Sequence, residues 1–156
     1  MTTQTIESLI GSHPFFVGLG AEFTRFVAGC AKNRYAEKGE YLAHEGDEAA
    51  ALFLVRRGKV SIETNVPGRG GVMVETLGAG DMSGWSWLFP PHKWTFDIRA
   101  LEGTSFVELN GKCLREKCEG DPRLGYEVAK RLAGMMVERL RSTRLRLLDL
   151  YGDHSA

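Results

Sequence analysis

The chain has 156 residues, of which 43% are hydrophobic and 26% are charged, with 20 basic and 20 acidic side chains. This length suits one compact domain with an appended element, and the balanced charge gives no overall electrostatic attraction to nucleic acid. No apolar run approaches the roughly 20 residues of a membrane span, and the N-terminus lacks the pattern of a secretion signal, so we expect a cytoplasmic protein.

The first 32 residues predict two or three short helices. Apolar side chains recur at helical spacing over residues 6–31. Pro14 and the pair Gly18 and Gly20 interrupt this pattern, because the residue before a proline disfavours helix and glycine readily ends one.

Residues 33–110 predict antiparallel β structure. Short runs of alternating or β-branched residues are separated by turns that contain glycine, which is the pattern of a barrel or a sandwich. The predicted strands cover residues 33–36, 41–44, 52–56, 59–64, 72–77, 96–100 and 105–109. We therefore expect a mainly β barrel with flanking helices.

Residues 111–151 predict helices, the last of them long. Asp121-Pro122 is a start signal, since a carboxylate can cap free amides and proline suits the first helical position. The first half of the long helix carries an apolar stripe that we expect to pack on the barrel, formed by Leu124, Val128, Leu132 and Met135.

The second half of this helix carries a different apolar stripe, here called the seam. It consists of Ala133, Met136, Leu140, Thr143, Leu147 and Leu150. Its steps alternate between three and four residues, which is typical of a coiled coil and predicts a homodimer. The alternative is an amphipathic helix that lies on its own domain. A solvated flank, and not a contact with nucleic acid, is predicted for Arg139, Arg141, Arg144 and Arg146.

The cysteines and histidines form no familiar metal motif. The cysteines lack paired short spacings, and we interpret them as buried or incidental thiols in a reducing compartment, with redox sensing as the alternative. They are Cys30, Cys113 and Cys118. A cupin-type metal enzyme needs two nearby histidines and a carboxylate, and it is an alternative that the scattered histidines disfavour. They are His13, His44, His92 and His154. Because the common catalytic signatures are absent, we predict no enzyme, no metal and no cofactor.

Two stretches combine glycine turns with hydrophobic alternation: residues 37–47 (EKGEYLAHEGD) and 52–63 (LFLVRRGKVSIE). In both features they resemble the first half of the cyclic nucleotide-binding domains of catabolite activators and kinase regulatory subunits. Residues 77–81 (LGAGD), Gly84, residues 88–89 and residues 98–100 match a strand, the phosphate-binding cassette and the next strand. The resemblance implies a double-stranded β-helix, or jelly-roll, in one domain: helices at 1–32, barrel at 33–110 and helices at 111–151.

The resemblance also implies a ligand site at the cassette, where a short helix presents free amides to a cyclic phosphate. The corresponding turn holds Gly84, Trp85, Ser86 and Trp87. Members that bind cyclic AMP place a glutamate after the glycine and an arginine six residues before the alanine that matches Ala100. This chain has Trp85 and Trp94 at those positions. Lys93 could supply only a point charge. The implied function is a small-ligand sensor in which cyclic nucleotides bind weakly or are replaced by another ligand.

Two interpretations of the tryptophans stay open. In the first, Trp85, Trp87 and Trp94 line a retained pocket and stack on a flat ligand, whose polar end meets Gly84, Ser86 and Thr95. Further contacts from the long helix would be Met136 and Thr143. In the second, at least two of the indoles fill the pocket as core and the chain is a non-binding dimerisation or scaffold domain. Since the sequence ends at Ala156, soon after the long helix, we expect no direct DNA binding; an unidentified protein partner would receive the signal.

Overall fold

Residues 5–152 are described by the computed structural model, which leaves His154 outside the described residues. The helices in this range are α1 (Ile6–Ser12), α2 (Ala21–Ala28), α3 (Gly111–Gly120) and α4 (Pro122–Gly152). The strands in the same range are β1 (Ala31–Ala36), β2 (Tyr41–Ala43), β3 (Ala51–Arg57), β4 (Lys59–Val66), β5 (Gly70–Gly78), β6 (Met82–Ser83), β7 (Asp97–Ala100) and β8 (Thr104–Asn110). Within residues 5–152, no helix combines the length and apolar composition that a bilayer span requires.

The strands form two antiparallel four-stranded sheets. The first has the order β1-β8-β3-β6 and the second the order β2-β7-β4-β5. The predicted mainly β fold with short N-terminal helices and a long C-terminal helix is confirmed. The predicted barrel is not closed, because the sheets pack face to face without a ladder joining them among the described residues. Strand β6 was not predicted, since a two-residue strand leaves no alternating pattern to detect.

Apolar side chains collect on both faces of the first sheet, because successive residues of a strand point to opposite sides. Between the two sheets lies the intersheet core, which includes Phe53, Val55, Ile62, Trp94, Phe96, Ile98 and Phe106. Between the first sheet and the helices lies the helix-side core, which includes Ile10, Phe16, Leu52, Leu54, Trp87, Leu124, Val128 and Leu132. Three residues of the predicted packing stripe of α4 are thus buried, and the fourth, Met135, is partly buried against the same core. The start of α4 is also as predicted, since the amide of Arg123 donates to Asp121 Oδ1 at 3.1 Å.

One glycine between β3 and β4 is required by a close backbone approach. Gly58 has a φ of +99°, and a Cβ atom there would lie 2.5 Å from the carbonyl oxygen of Gly103. A side chain would therefore be excluded both by the conformation and by the neighbouring loop.

The interpretation of all cysteines as free thiols is wrong for two of the three. Cys30 and Cys113 form a disulfide with a Cα–Cα distance of 5.6 Å, and Cys118 is free. The cause is the antiparallel pairing of β1 with β8, in which Ala31 lies opposite Leu109. This pairing brings the residue before β1 close to the first turn of α3, although 83 positions separate the two cysteines in sequence.

His13 ends α1 as a buried, hydrogen-bonded histidine. Its Nε2 lies 3.1 Å from the carbonyl oxygen of Val55, and its Nδ1 accepts a hydrogen bond from the amide of Phe15. The ring is neutral in this arrangement, with the proton on Nε2. Burial lowers the pKa of His13 below its usual value of 6.5, although the Val55 carbonyl and Asp81 act in the opposite direction.

We expect the stability of the protein to fall as the pH falls below about 6.5. Above this pH His13 is neutral in both the folded and the unfolded protein. Below it His13 takes up a proton in the unfolded protein, whereas burial disfavours the proton in the folded protein. The free energy of unfolding therefore falls by up to about 1.4 kcal/mol per pH unit. Denaturant titrations between about pH 5 and 8 should give a shallower slope for His13→Asn than for the wild type. His44→Asn, at an exposed position, is the control; an equal slope for wild type and His13→Asn would contradict the expectation.

Candidate functional site

The cassette is the segment of residues 84–95 that connects β6 to β7. The predicted short helix is absent: the amide of Leu88 donates to the carbonyl of Trp85, which closes one turn, and no helix is assigned. Pro90 and Pro91 lack the amide hydrogens that would extend a helix, and they disfavour helical conformation in the residues before them. The cassette is therefore a loop with two separate turns, the second closed by the amide of His92, which donates to the carbonyl of Phe89.

Trp94 occupies the space between the two sheets. Its ring lies parallel to that of Phe53, with 5.7 Å between the centroids, and it also contacts Phe96. Only 5% of the residue is exposed. Gly84 has a φ of +108°, and a Cβ atom there would lie 3.0 Å from Cη2 of Trp94. The indole therefore packs directly against the glycine at which the cassette begins.

Trp87 does not share this space with Trp94. It belongs to the helix-side core, is completely buried, and donates from Nε1 to the carbonyl of Gly84 at 2.9 Å. Ser86 is buried beside it. Trp87 thus packs in the helix-side core and not beside Trp94, and it stabilises the turn through its own hydrogen bond.

Trp85 is half-buried and lies between the two cores and α4. Its ring meets that of Phe96 edge-on, with 5.3 Å between the centroids. The guanidinium of Arg139 lies over the other side of the ring system, 5.4 Å from the centroid, and donates to the carbonyl of Met82. Arg139 therefore joins the C-terminal helix to the start of the cassette.

A second arginine holds the same loop from α3. Nη1 of Arg115 donates to the carbonyl of Trp87 at 2.5 Å. The cassette is thereby fixed to α3 through Arg115 and to α4 through Arg139. Neither arginine was predicted as a site residue.

Arg139 was predicted to be part of a solvated flank, and this is wrong. The residue continues the spacing of Leu132 and Met135 and so lies on the packed face of α4, which is the signal that sequence reasoning missed. Burial lowers the pKa of Arg139, whereas the charges of Glu75 and Asp81 raise it. Arg146 is also not free, since its Nη1 donates to the carbonyl of Val74 on β5 at 2.6 Å.

The other predicted contacts lie away from this point. Lys93 and Thr95 are exposed, and Lys93 pairs with Glu48 in an isolated bridge. Met136 and Thr143 lie on the exposed side of α4, where the hydroxyl of Thr143 donates to the carbonyl of Arg139. Their roles as ligand contacts stay predictions.

Ser83 carries a buried hydroxyl that has no hydrogen-bond partner within residues 5–152. It lies opposite Phe53 in the β3–β6 pair, and cross-strand partners point to the same face of a sheet. The hydroxyl therefore faces the intersheet core next to Trp94. An unpaired buried hydroxyl costs about 1–3 kcal/mol.

A cavity of about 430 Å³ lies between α4, β5 and the loop before β6. Its wall combines apolar residues with both signs of charge and includes Phe15, Glu75, Asp81, Met82, Arg131 and Arg139. Arg139 thus faces this cavity as well as the cassette. Among residues 5–152, no three His, Cys, Asp or Glu side chains form a group that could hold a metal ion.

We expect Arg139→Met to lower the free energy of unfolding by about 1.5–3 kcal/mol, because it removes a charged donor from a buried carbonyl. Loss of the guanidinium should also expose Trp85 and shift tryptophan emission to longer wavelength. Arg141→Met is the matched control, since Arg141 pairs only with Glu138 at the surface and should contribute about 0.5 kcal/mol or less. Equal losses in the two variants, measured by denaturant titration, would contradict the role of Arg139.

Comparison with known proteins gives a consistent result. A model of the cyclic nucleotide-binding domain matches residues 33–121. A putative cyclic nucleotide-binding protein from Geobacter metallireducens is 25% identical with a TM-score of 0.78, over 88% of this chain and 99% of that chain. A cyclic nucleotide-binding domain from Methylobacillus flagellatus is 25% identical with a TM-score of 0.75, over 83% of this chain and 73% of that one.

The catabolite activator protein of Thermus thermophilus is also similar. It is 27% identical with a TM-score of 0.69; the matched region covers 88% of this chain and 63% of that protein. No curated protein is similar enough to the chain to count as a match.

Proposed function

Because the chain belongs to the cyclic nucleotide-binding domain family, we propose that it is a regulatory module whose nucleotide position is occupied by its own tryptophans. In this proposal cyclic AMP and cyclic GMP bind weakly or not at all in the usual mode. The module acts through the cassette, the arginines that hold it and a homodimer formed by α4.

The position of Trp94 is the observation that carries this proposal. The family resemblance places the phosphate-binding arginine at residue 94, and here an indole stacked on Phe53 fills that space. Trp85 replaces the glutamate that would hold the ribose. Each missing charge-assisted hydrogen bond weakens binding by about 1.5–3 kcal/mol, or one to two decades in affinity. A nucleotide would also have to displace a well-packed ring.

The contacts between the cassette and the C-terminal helices could carry a movement of the cassette to α3 and α4. Arg139 contacts Trp85 and Met82 at one end of the cassette, and Arg115 contacts Trp87 in its middle. A displacement of the loop would change the hydrogen bonds of both α3 and α4. We infer that α4 is the output element, because Arg139 connects it to the cassette while its second half exposes the leucines of the seam.

The seam of α4 supports a dimer with a second copy. The side chains of Leu140, Leu147 and Leu150 are 62%, 52% and 63% exposed. They recur at coiled-coil spacing beside the face that packs on the sheet, and a matching helix would bury them. The cytoplasmic location and the absence of direct DNA binding stay predictions.

A second candidate function is a sensor for a small ligand that is not a cyclic nucleotide. The unpaired hydroxyl of Ser83 favours it, since a polar ligand atom beside Trp94 and Gly84 would satisfy this group. A scaffold that binds nothing is the remaining alternative. It would be favoured if the space around the Ser83 hydroxyl held neither water nor a ligand.

Native mass spectrometry of freshly purified protein tests the dimer and the ligand together. We expect a dimer mass without a cyclic nucleotide, and we expect Leu140→Glu to weaken dimerisation about 100-fold, since it removes roughly 3 kcal/mol of apolar burial across two copies. Leu145→Glu is the control, because Leu145 is exposed on the opposite side of α4 from the seam. A co-purified metabolite would support the sensor. A monomer at micromolar concentration, or a bound cyclic nucleotide, would contradict the proposal.

A further inference from the structure

The disulfide Cys30–Cys113 lies where α2, β1 and α3 meet, and its two sulfur-bearing residues differ in environment. Cys30 is 8% exposed and belongs to the helix-side core. Cys113 is half-buried and lines a cavity of about 540 Å³ together with Phe26, Glu116, Lys117, Gly120 and Asp121. The side of Cys113 is therefore more accessible to a solvent molecule or a small thiol than the side of Cys30.

Cys113 also lies at the start of a helix. It belongs to the first turn of α3, where Asn110 caps the helix by accepting a hydrogen bond from the Cys113 amide at 2.8 Å. The start of a helix and the ammonium of Lys117 attract an approaching anionic thiolate, whereas the carboxylates of Glu116 and Asp121 in the same cavity oppose it. Lys117 follows one turn later, with its Nζ 3.8 Å from the ring centroid of Phe26. A Cβ atom placed on Gly29 would lie 3.7 Å from the same Nζ. The ammonium therefore lies close to the residue before Cys30.

We propose that Cys30–Cys113 is a thiol–disulfide exchange site that an external dithiol reductant opens in the folded protein by attacking Cys113 Sγ. The reductant thiolate forms a bond to Cys113 Sγ, and the Cys30–Cys113 bond breaks with its electron pair on Cys30 Sγ, which takes a proton from water. The second thiol of the reductant then attacks its own sulfur in the mixed disulfide and releases Cys113. The reductant leaves as a cyclic disulfide, and two electrons have passed to the protein.

The third cysteine does not take part in this exchange. Burial and the charge of Glu119 raise the pKa of Cys118 to about 11, so that it remains a thiol near neutral pH. It lies on α3 against α4, where a Cβ on Gly125 would approach its carbonyl oxygen to 2.9 Å. The exchange therefore needs a thiol from outside the chain.

Reduction of the Cys30–Cys113 bond would affect the cassette through α3. Arg115, which donates to the carbonyl of Trp87, is two residues after Cys113 on the same helix. In the oxidised protein a covalent bond fixes the first turn of α3 to the residue that follows α2. In the reduced protein this turn is held by packing and by hydrogen bonds from the amides of Asn110 and Gly111 to the carbonyls of Cys30 and Ala50. The redox state of the pair thus sets how firmly Arg115 holds the loop.

The test uses full-length protein equilibrated with oxidised dithiothreitol. In denaturant without reductant, alkylation should add one group, at Cys118. In native buffer with millimolar dithiothreitol, Cys30 and Cys113 should also become alkylated while the circular dichroism spectrum stays folded. Three alkylations without reductant would overturn the proposal, and so would a bond that dithiothreitol opens only in denaturant.

Single-cysteine variants compare how readily an external reagent reaches the two sulfur atoms. The double variant C30A/C118A retains only Cys113, and C113A/C118A retains only Cys30. We expect glutathione disulfide to modify Cys113 about tenfold faster than Cys30, because Cys113 lines a cavity whereas Cys30 is 8% exposed. Lys117→Gln, introduced into C30A/C118A, should slow this reaction, and Lys38→Gln on a distant turn should not. Equal rates at the two cysteines would overturn the assignment even if the wild-type bond is reducible.

Discussion

Replacing Trp94 by alanine is expected to lower the free energy of unfolding by about 3–5 kcal/mol, the usual cost of truncating a buried aromatic residue. The ring is stacked on Phe53 and touches Phe96 and Gly84, so its neighbours on both sheets would lose contacts at once. The space left between the sheets is apolar apart from the hydroxyl of Ser83. We therefore expect free indole to bind this cavity and to raise the melting temperature of the variant, but not that of the wild type.

The control for this variant is Phe89→Ala, which changes an exposed aromatic residue of the same loop. Its cost should stay within about 0.5 kcal/mol. A loss below about 1 kcal/mol for Trp94→Ala would mean that the indole does not fill the intersheet space. In that case the usual nucleotide position would be open.

Loss of the Cys30–Cys113 bond is expected to lower the free energy of unfolding by about 3–4.5 kcal/mol, since the bond closes a loop that spans all eight described strands. In a protein of this size the midpoint of thermal unfolding should fall by roughly 10 °C. The measurement compares the wild type with the double variant C30A/C113A in buffer without reductant. Cys118→Ala is the control and should melt close to the wild type. Coincident melting curves of the wild type with and without reductant would contradict the expectation.

The predicted fold followed from features that are local in sequence. Glycine turns such as Gly58 separate runs of alternating residues. The alternation within each run is enough to predict a strand without reference to the rest of the chain. Asp121-Pro122 likewise carries its start signal within two residues. The open arrangement of the sheets depends instead on which strands pair, and no single strand carries that information.

The site was predicted less completely, because its contacts join distant parts of the chain. The pair Trp85 and Trp94 was identified by the family resemblance, but the sequence could not decide whether the rings line a pocket or fill it. Trp87 lies two residues after Trp85, and its indole is buried in the helix-side core. The role of Arg139 depends on which face of α4 packs on the sheet. The disulfide depends on the register of β1 against β8.

These features together describe a module in which the cassette has become part of the core. In the proposed function Trp94 takes the place of an exchangeable ligand, and the ring of Trp85 contacts Arg139 of α4. The loop is then held from α3 and α4 whether or not a nucleotide is present. We expect regulation of such a module to act on those attachments and not through the usual phosphate contact.

Calorimetric titration of the wild-type protein with cyclic AMP tests the central claim most directly. With both charged partners replaced and the intersheet space filled, we expect no saturable heat up to about 1 mM nucleotide, which corresponds to a binding free energy weaker than about −4 kcal/mol. Saturable binding of one cyclic AMP per protomer with a micromolar Kd would contradict the claim, because it would require Trp94 to leave the space between the sheets.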